Sequence, residues 1–296
     1  MKYSIGIDIG GTKVLAVLMD EHHTLIEKAE TVSDVRDRET MYKSVTNCID
    51  SLLNKTSTSI NNIDGFGVGV PGQVDVEEGK AVYQSNIPWK NFNIRKRLRA
   101  TYDTEKVIVD NDVAMAGYRA FDMTGNSGET VTYITVSTGL ACATIIDGEC
   151  MKGHGFSGEL GHVIVNWEGR RLRLEEIVSG TGIAANGQKI YKDDTLKTKD
   201  IFFKFQNKDR DAEKLIEQTA ELFAEHIYSL IALIDPHQIV FGGSVMVKQP
   251  DYLQIVKEKL APFMLDGHKH ILDNMTIIED EGHQGAMGAS VRVFKK

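Results

Sequence analysis

The chain has 296 residues, 42% of them hydrophobic and 26% charged, and a formal net charge of -8. That is enough chain to bury a substantial core in two medium domains or one large one, and too acidic for a protein whose affinity rests on Lys and Arg neutralising nucleic-acid phosphates. Its three cysteines, Cys48, Cys142 and Cys150, are unclustered and form no CxxC pair, so they match neither a disulfide framework nor a zinc ribbon and predict a reducing, cytoplasmic setting. No stretch approaches the roughly 20 apolar residues of a membrane span, and the N-terminal MKYSIGIDIGG has no long apolar leader with a cleavage site; membrane insertion and export are not expected.

In chain order, Tyr3 to Ile9 reads as a strand that breaks at Gly10-Gly11 and resumes over Val14 to Leu18 before Asp20, which predicts a β-hairpin. Met41, Val45, Cys48, Ile49, Leu52 and Leu53 recur on one helical face, so roughly 40 to 54 is expected to be an amphipathic helix. A strand follows over Gly65 to Val70, stopped by Pro71-Gly72. Another, Lys106 to Val109, delivers Asp110-Asn111-Asp112 ahead of a helix over Val113 to Phe121. Polar side chains at the carboxyl end of a strand are where open α/β sheets place their chemistry.

The second half opens as the first does. Val131 to Val136 reads as a strand, Ser137-Thr138-Gly139 as its turn and Leu140 to Ile146 as the returning strand, ending in Asp147-Gly148. In both copies an Asp (Asp20, Asp147) falls ten positions after the first turn residue (Gly10, Ser137), which implies an internal duplication and two similar lobes around a cleft. Leu215, Leu222, Phe223, Ile227, Leu230, Ile231 and Ile234 mark a long helix closed by Asp235-Pro236. After it come a strand over Gln238 to Phe241, a Gly242-Gly243 turn and a Gly/Ala-rich helix near Gly285 to Phe294. The expected division is an N-terminal lobe over 1–115 and a C-terminal lobe over 116–296, with the last helix free to pack back on the first.

Asp8-Ile9-Gly10-Gly11-Thr12-Lys13 is a candidate phosphate loop: the glycines let backbone N–H groups approach an anion, and Thr12 and Lys13 add donors and charge. It is neither a Walker A loop nor a dinucleotide fingerprint, which need GxxxxGK[ST] or a GxGxxG that opens a helix. The same glycines also suit a plain hairpin turn. Asn111-Asp112 pairs an amide able to donate to and accept from a hydroxyl with a carboxylate able to take a proton, although an Asn-Asp pair also serves ordinary turns. Glu159 and His162 stand three apart between glycines, with Glu175 following, and these are groups suited to a ring of sugar hydroxyls. A metal site is the rival reading, but no further His or Cys stands at ligand spacing.

Taken in order, DIGGTK, GVGVPGQVD, NIPWKNFNI, VDNDVAMAG, SGELGHVIV, EEIVSGTGIA and VFGGSV resemble the ROK family of sugar kinases and repressors along essentially the whole chain. The resemblance implies the duplicated actin-like ATPase fold (ribonuclease H-like, hexokinase-type; class α/β), with ATP and Mg²⁺ as cofactors. By that resemblance Asp8, Gly10, Gly11, Thr12 and Lys13 are the first phosphate loop, Ser137, Thr138 and Gly139 the second, and Gly180, Gly242 and Gly243 the far side of the nucleotide. Gly72, Asn86, Asn111, Glu159, His162 and Glu175 match sugar-binding positions, Asp112 the catalytic base, and Asp8 a position near Mg²⁺, often through water. The partners it implies are a sugar and ATP, with neither nucleic acid nor membrane, and a homodimer is left open.

Two departures stand out. The family's second loop is usually GTGxGGG, whereas here Ser137-Thr138-Gly139 runs into Leu140-Ala141-Cys142-Ala143. The family's CxCGxxGC zinc segment is missing: Asn166 to Arg173 contains no cysteine and forms a shorter connection, so zinc is not expected and packing of Trp167 and Leu172 has to stabilise the segment instead. The expected activity is ATP-dependent phosphorylation of a sugar hydroxyl at C6, with closure of the lobes excluding water. The shortened segment places a β-glucoside such as cellobiose first, its second ring lying on Trp167 or another aromatic, with N-acetylmannosamine or glucose as the alternative. A sugar-sensing regulator is the alternative of another class. Repressors of the family carry a basic helix-turn-helix ahead of the hairpin, whereas here the first strand begins at Lys2 or Tyr3.

Overall fold

A computed structural model describes residues 2–124, 128–278 and 282–295. In chain order, β1 (Tyr3–Ile9), β2 (Lys13–Asp20) and β3 (Leu25–Val32) lead into α1 (Arg38–Thr56), and β4 (Ile63–Val70) is followed by the short strands β5 (Gln73–Asp75), β6 (Lys80–Tyr83) and β7 (Lys90–Asn93). Next come α2 (Ile94–Tyr102), β8 (Val107–Asn111) and α3 (Asp112–Thr124). The second hairpin is β9 (Thr130–Val136) and β10 (Leu140–Ile146), followed by β11 (Glu149–Cys150), β12 (Ile164–Trp167) and β13 (Arg170–Arg173). Then α4 (Glu175–Val178), α5 (Gly180–Tyr191), α6 (Thr198–Gln206) and α7 (Arg210–Ile234) lead to β14 (Gln238–Gly242) and α8 (Gly243–Lys248), and α9 (Pro250–Leu260), α10 (His270–Asp273), β15 (Met275–Ile277) and α11 (Gln284–Phe294) complete the chain.

The chain divides into two units, one made of Met1–Ser127, Gly148–Ser157 and Glu281–Lys296, the other of Gly128–Asp147 and Gly158–Asp280. The first unit thus runs past the boundary expected at 115/116. The reason is α3, which packs closely against α11 and so stays with the sheet beneath it.

In the first unit the sheet order is β3-β2-β1-β4-β8. The β1–β2 pair is antiparallel, and β1–β4 and β4–β8 are parallel. Ile5, Ile7 and Ile9 of β1 point into one core with Val14, Ala16 and Leu18 of β2, closed by Met41, Val45, Cys48, Ile49 and Leu52 of α1. Each such aliphatic side chain taken fully out of water contributes about 1.5–3 kcal/mol. α1 starts where Asp37 accepts from the Glu39 and Thr40 N–H groups and the Thr40 hydroxyl faces back to Asp37, a capping box; it ends at Ser57 in the left-handed region. The other face of the sheet is covered by α11. A Cβ on Gly6 or Gly67 would fall 1.8 Å from the Ala286 or Ala289 carbonyl oxygen, and one on Gly288 1.7 Å from that of Met115. Close backbone approach therefore explains the Gly/Ala composition of this helix and of the strands under it.

The second unit repeats the plan. β9 and β10 are antiparallel, β14 runs parallel to β9, and β15 runs parallel to β14, so the order β10-β9-β14-β15 mirrors β2-β1-β4-β8. α7 begins at the Asp209 cap and stops at Asp235 in the left-handed region. Its Leu215, Phe223, Ile227, Leu230 and Ile231 enter the core of this unit, with Leu222 and Ile234 partly buried against it. No helix among the described residues is long and apolar enough to cross a membrane.

Candidate active site

In the first unit the candidate residues gather at the carboxyl ends of β1, β4 and β8. The β1–β2 turn is closed by the Gly10 N–H donating to the Lys13 carbonyl at 2.9 Å, and it is held from the side by the Ser33 hydroxyl donating to the Gly10 carbonyl at 2.6 Å. Asn86 lies against this turn: a Cβ on Gly11 would stand 2.7 Å from the Asn86 carbonyl oxygen. Asp8 sits one turn of the pleat before the glycines, its carboxylate carbon 3.0 Å from where a Cβ on Gly285 would be. Lys13 is paired with Glu30 of β3 at 2.6 Å. Both side chains are about half exposed, so the pair is weak.

Asn111 ends β8 and Asp112 opens α3. The Asn111 amide is already engaged: its oxygen accepts from the Val113 and Ala114 N–H groups at 2.9 and 3.3 Å, capping the first turn of α3, and its nitrogen donates to the Gly72 carbonyl at 3.0 Å. The turn reading of this residue is thus realised, leaving one amide N–H for a ligand. A Cβ on Gly69 would meet the Asp112 Cα at 3.3 Å, so the start of α3 lies close against β4 at this glycine. Gln84, which carries no distinctive signal in the sequence, steadies this corner by donating to the Gln73 carbonyl at 3.0 Å.

In the second unit the Ser137–Gly139 turn is closed by the Ser137 N–H donating to the Gly139 carbonyl at 2.9 Å. It has three residues between the paired Val136 and Leu140, against four between Ile9 and Val14 in the first hairpin. Gly180 donates to the Ser137 carbonyl at 2.7 Å, and the Thr181 hydroxyl donates to that of Thr138, so the start of α5 is bound to this turn. The two line a cavity of about 360 Å³ with Ser244, Lys197, Thr198 and Lys248. The lysines and Thr198 carry no motif and escape sequence reading, whereas Thr181 is signalled by its place in SGTG. Gly242 and Gly243 are not a free turn as expected: the first ends β14 and the second opens α8, because the strand passes directly into the helix.

Glu159, His162 and Glu175 come together. His162 Nε2 lies 3.9 Å from Glu159 Oε2 and 3.6 Å from Glu175 Oε1, and the three are partly or half exposed, as groups that bind a polar ligand must be. A Cβ on Gly139 would lie 3.3 Å from Glu175 Oε2, which sets this carboxylate beside the second glycine turn. The departure at Cys142 is absorbed by packing: burial pushes its thiol up to about 12, and its backbone N–H donates to the Gly158 carbonyl at 2.8 Å.

The segment that stands where the zinc motif falls in the family is the antiparallel hairpin β12–β13, turning through Glu168 and Gly169 with φ of 50° and 74°. Val165 is in the core, and Trp167 and Leu172 pack against it, with the indole N–H buried and without a hydrogen-bond partner. Among the described residues no group of three or more His, Cys, Asp or Glu side chains is arranged to hold a metal ion. Elemental analysis of the purified protein is expected to give less than stoichiometric zinc, with no loss of fold under a strong chelator; about one tightly held zinc per chain would contradict this.

The repeated hairpin with its two parallel companion strands defines the duplicated actin-like ATPase class. The chain belongs to the ROK family, whose pattern matches residues 4–296. A glucokinase of Halalkalibacterium halodurans is 25% identical over 287 residues, covering 89% of this chain and 87% of that protein. An N-acetyl-D-glucosamine kinase of Haemophilus influenzae is 29% identical over 280 residues, covering 87% and 88%. The ROK hexokinase of Thermus thermophilus superposes with a TM-score of 0.83 at 24% identity, over 98% of this chain and 97% of that one. With these relatives, the chain is an enzyme of the sugar-kinase class.

Proposed function

We propose that the protein transfers the γ-phosphoryl group of ATP to the C6 hydroxyl of a hexopyranose, with Asp112 receiving the hydroxyl proton. The observation that carries this reading is Asp112 at the start of α3, held by the Asn111 cap at the end of β8, the position at which an open α/β sheet presents a reactive group. Glu159, His162 and Glu175 accept and donate to ring hydroxyls. Asn111 uses its remaining amide hydrogen in the same way, and Gly72 and Asn86 shape the wall beside it. Backbone N–H groups of the Gly10–Lys13 and Ser137–Gly139 turns bind phosphate oxygens, Lys13 leaves Glu30 for them, and the cavity beside Gly180, before Gly242 and Gly243, takes the nucleoside. Because phosphoryl transfer has a loose transition state, alignment and charge stabilisation supply most of the rate.

Mg²⁺ is held by one or two carboxylates together with substrate phosphates, and Asp8 beside the first glycine turn fits that requirement. The ion would neutralise charge on the phosphates, and Asp8 would hold it, directly or through water. Cysteines that form no disulfide suit the reducing cytoplasm.

For the acceptor, the packing of Trp167 against the core lessens its use as a platform for a second ring, which supports a monosaccharide over the β-glucoside expected from the shortened segment. The test is a coupled ADP-release screen over glucose, mannose, fructose, N-acetylmannosamine, N-acetylglucosamine and cellobiose. A monosaccharide is expected to exceed cellobiose in kcat/KM by tenfold or more, about 1.4 kcal/mol of transition-state discrimination. Cellobiose winning by that margin would restore the open-wall reading, and no sugar-dependent ADP release at all would remove the kinase.

A further inference from the structure

Asp110, two residues before the proposed base, is the most deeply buried carboxylate of the Asp110-Asn111-Asp112 run at 6% exposure, and it is bonded on both oxygens. Its Oδ1 accepts the Asn111 N–H at 2.8 Å. Its Oδ2 lies 3.2 Å from Lys152 Nζ. Lys152 belongs to the stretch Gly148–Ser157 of the first unit, and that stretch is fastened at two further points. Glu149 receives both its hydrogen bonds from the Arg292 guanidinium of α11, at 3.0 and 2.8 Å. The Cys150 N–H donates to the Tyr118 hydroxyl of α3 at 3.3 Å, and Arg292 lies over the Tyr118 ring at 4.6 Å. The three anchors fall on β8, α3 and α11, the elements that surround the β8–α3 junction.

The Asp110 side chain is 9% exposed and that of Lys152 37%, so the lysine supplies its charge from the rim, and its removal leaves a buried carboxylate without a counter-charge. Without Lys152, Asp110 loses the counter-charge that fixes its Oδ2, and the carboxylate swings toward solvent. That swing weakens its bond to the Asn111 N–H, and the next residue along that backbone is Asp112. We infer that Lys152 is a positioning residue for phosphoryl transfer: by neutralising Asp110 it holds the Asn111–Asp112 step in the place the base needs. The inference rests on the reading of Asp112 as the base. It assigns Lys152 no contact with sugar or nucleotide, so it separates from a phosphate-binding role by kinetics: a lost phosphate contact raises KM for ATP, whereas a displaced base lowers kcat.

The experiment is steady-state kinetics of the full chain with the best sugar of the screen, on Lys152→Met, Lys152→Arg, Asp110→Asn, the double variant Lys152→Met/Asp110→Asn, and Asp112→Asn. Displacements of an ångström or less cost up to about 10²-fold in rate, so Lys152→Met is expected to lower kcat by about tenfold or more with KM for ATP within about threefold. Lys152→Arg should restore kcat to within about threefold of the parent. In the Asp110→Asn background, where the acceptor oxygen remains and no charge needs neutralising, Lys152→Met should change kcat by less than about twofold, the signature of a coupled pair. The inference is overturned if Lys152→Met keeps kcat within about twofold, or if it costs as much in the Asp110→Asn background as in the parent. Should Lys152→Met alone not fold, the step from Asp110→Asn to the double variant decides the matter, and a fall in kcat of about tenfold or more there overturns the inference. Full turnover in Asp112→Asn would instead remove the base reading and leave the measured Lys152–Asp110 coupling standing.

Discussion

Replacing Asp112 by Asn should lower kcat by at least about two orders of magnitude, the usual scale for a general base, while sugar and ATP still bind. The substitution is nearly isosteric, so the start of α3 and its fit over Gly69 remain; what is lost is the carboxylate that receives the hydroxyl proton. The bond from the Val113 N–H to Asp112 Oδ1, at 3.0 Å, survives through the amide oxygen. Single-turnover measurements alongside thermal shifts with sugar and with ATP separate chemistry from binding. Turnover near the parent's would remove Asp112 from the reaction, and loss of ligand-induced stabilisation would make it a binding residue.

The second large effect is expected at Gly158→Ala. Gly158 has φ of 93°, and a Cβ there would fall 1.9 Å from the Cys142 carbonyl oxygen, so the substitution meets both backbone strain and a clash with a main-chain atom that cannot rotate away. Overpacking and positive φ on a non-glycine residue each cost about 1–3 kcal/mol. A loss near 3 kcal/mol corresponds to roughly 6–12 °C in Tm for a chain of this class. Because Glu159 follows directly, KM for the sugar should rise with the loss of stability. A variant with parental Tm and KM would show that the Gly158–Cys142 approach has no bearing on the second unit.

The two hairpins were legible in the sequence because each is a run of β-formers interrupted by turn residues, and their observed registers follow those interruptions. The buried face of α7 was legible because its apolar spacing holds over five turns. β3 was not: it alternates with Glu27, Lys28 and Glu30, and only Ala29 of the strand is buried, so an edge strand reads as polar loop. That omission hid the partner of Lys13, since Glu30 lies on it. α2 buries just Ile94 and Leu98, too few for periodicity to register. At the site, the grouping of Glu159, His162 and Glu175 agrees with their short separations in the chain. For Asn111, by contrast, residue type cannot tell a ligand amide from a helix cap; that depends on where the backbone turns, and here the cap takes most of its hydrogen-bonding capacity. Lys152 and Asp110 lie 42 residues apart with no motif between them, so only folding brings them together.

Transfer of a phosphoryl group from ATP to a sugar is read by ³¹P and ¹³C NMR of the reaction with the sugar that gives the fastest ADP release. One sugar phosphate is expected per ATP consumed, with the phosphate ester on C6. ADP accumulating with inorganic phosphate in place of a sugar ester, or a sugar that stabilises the protein yet is never phosphorylated, would contradict it.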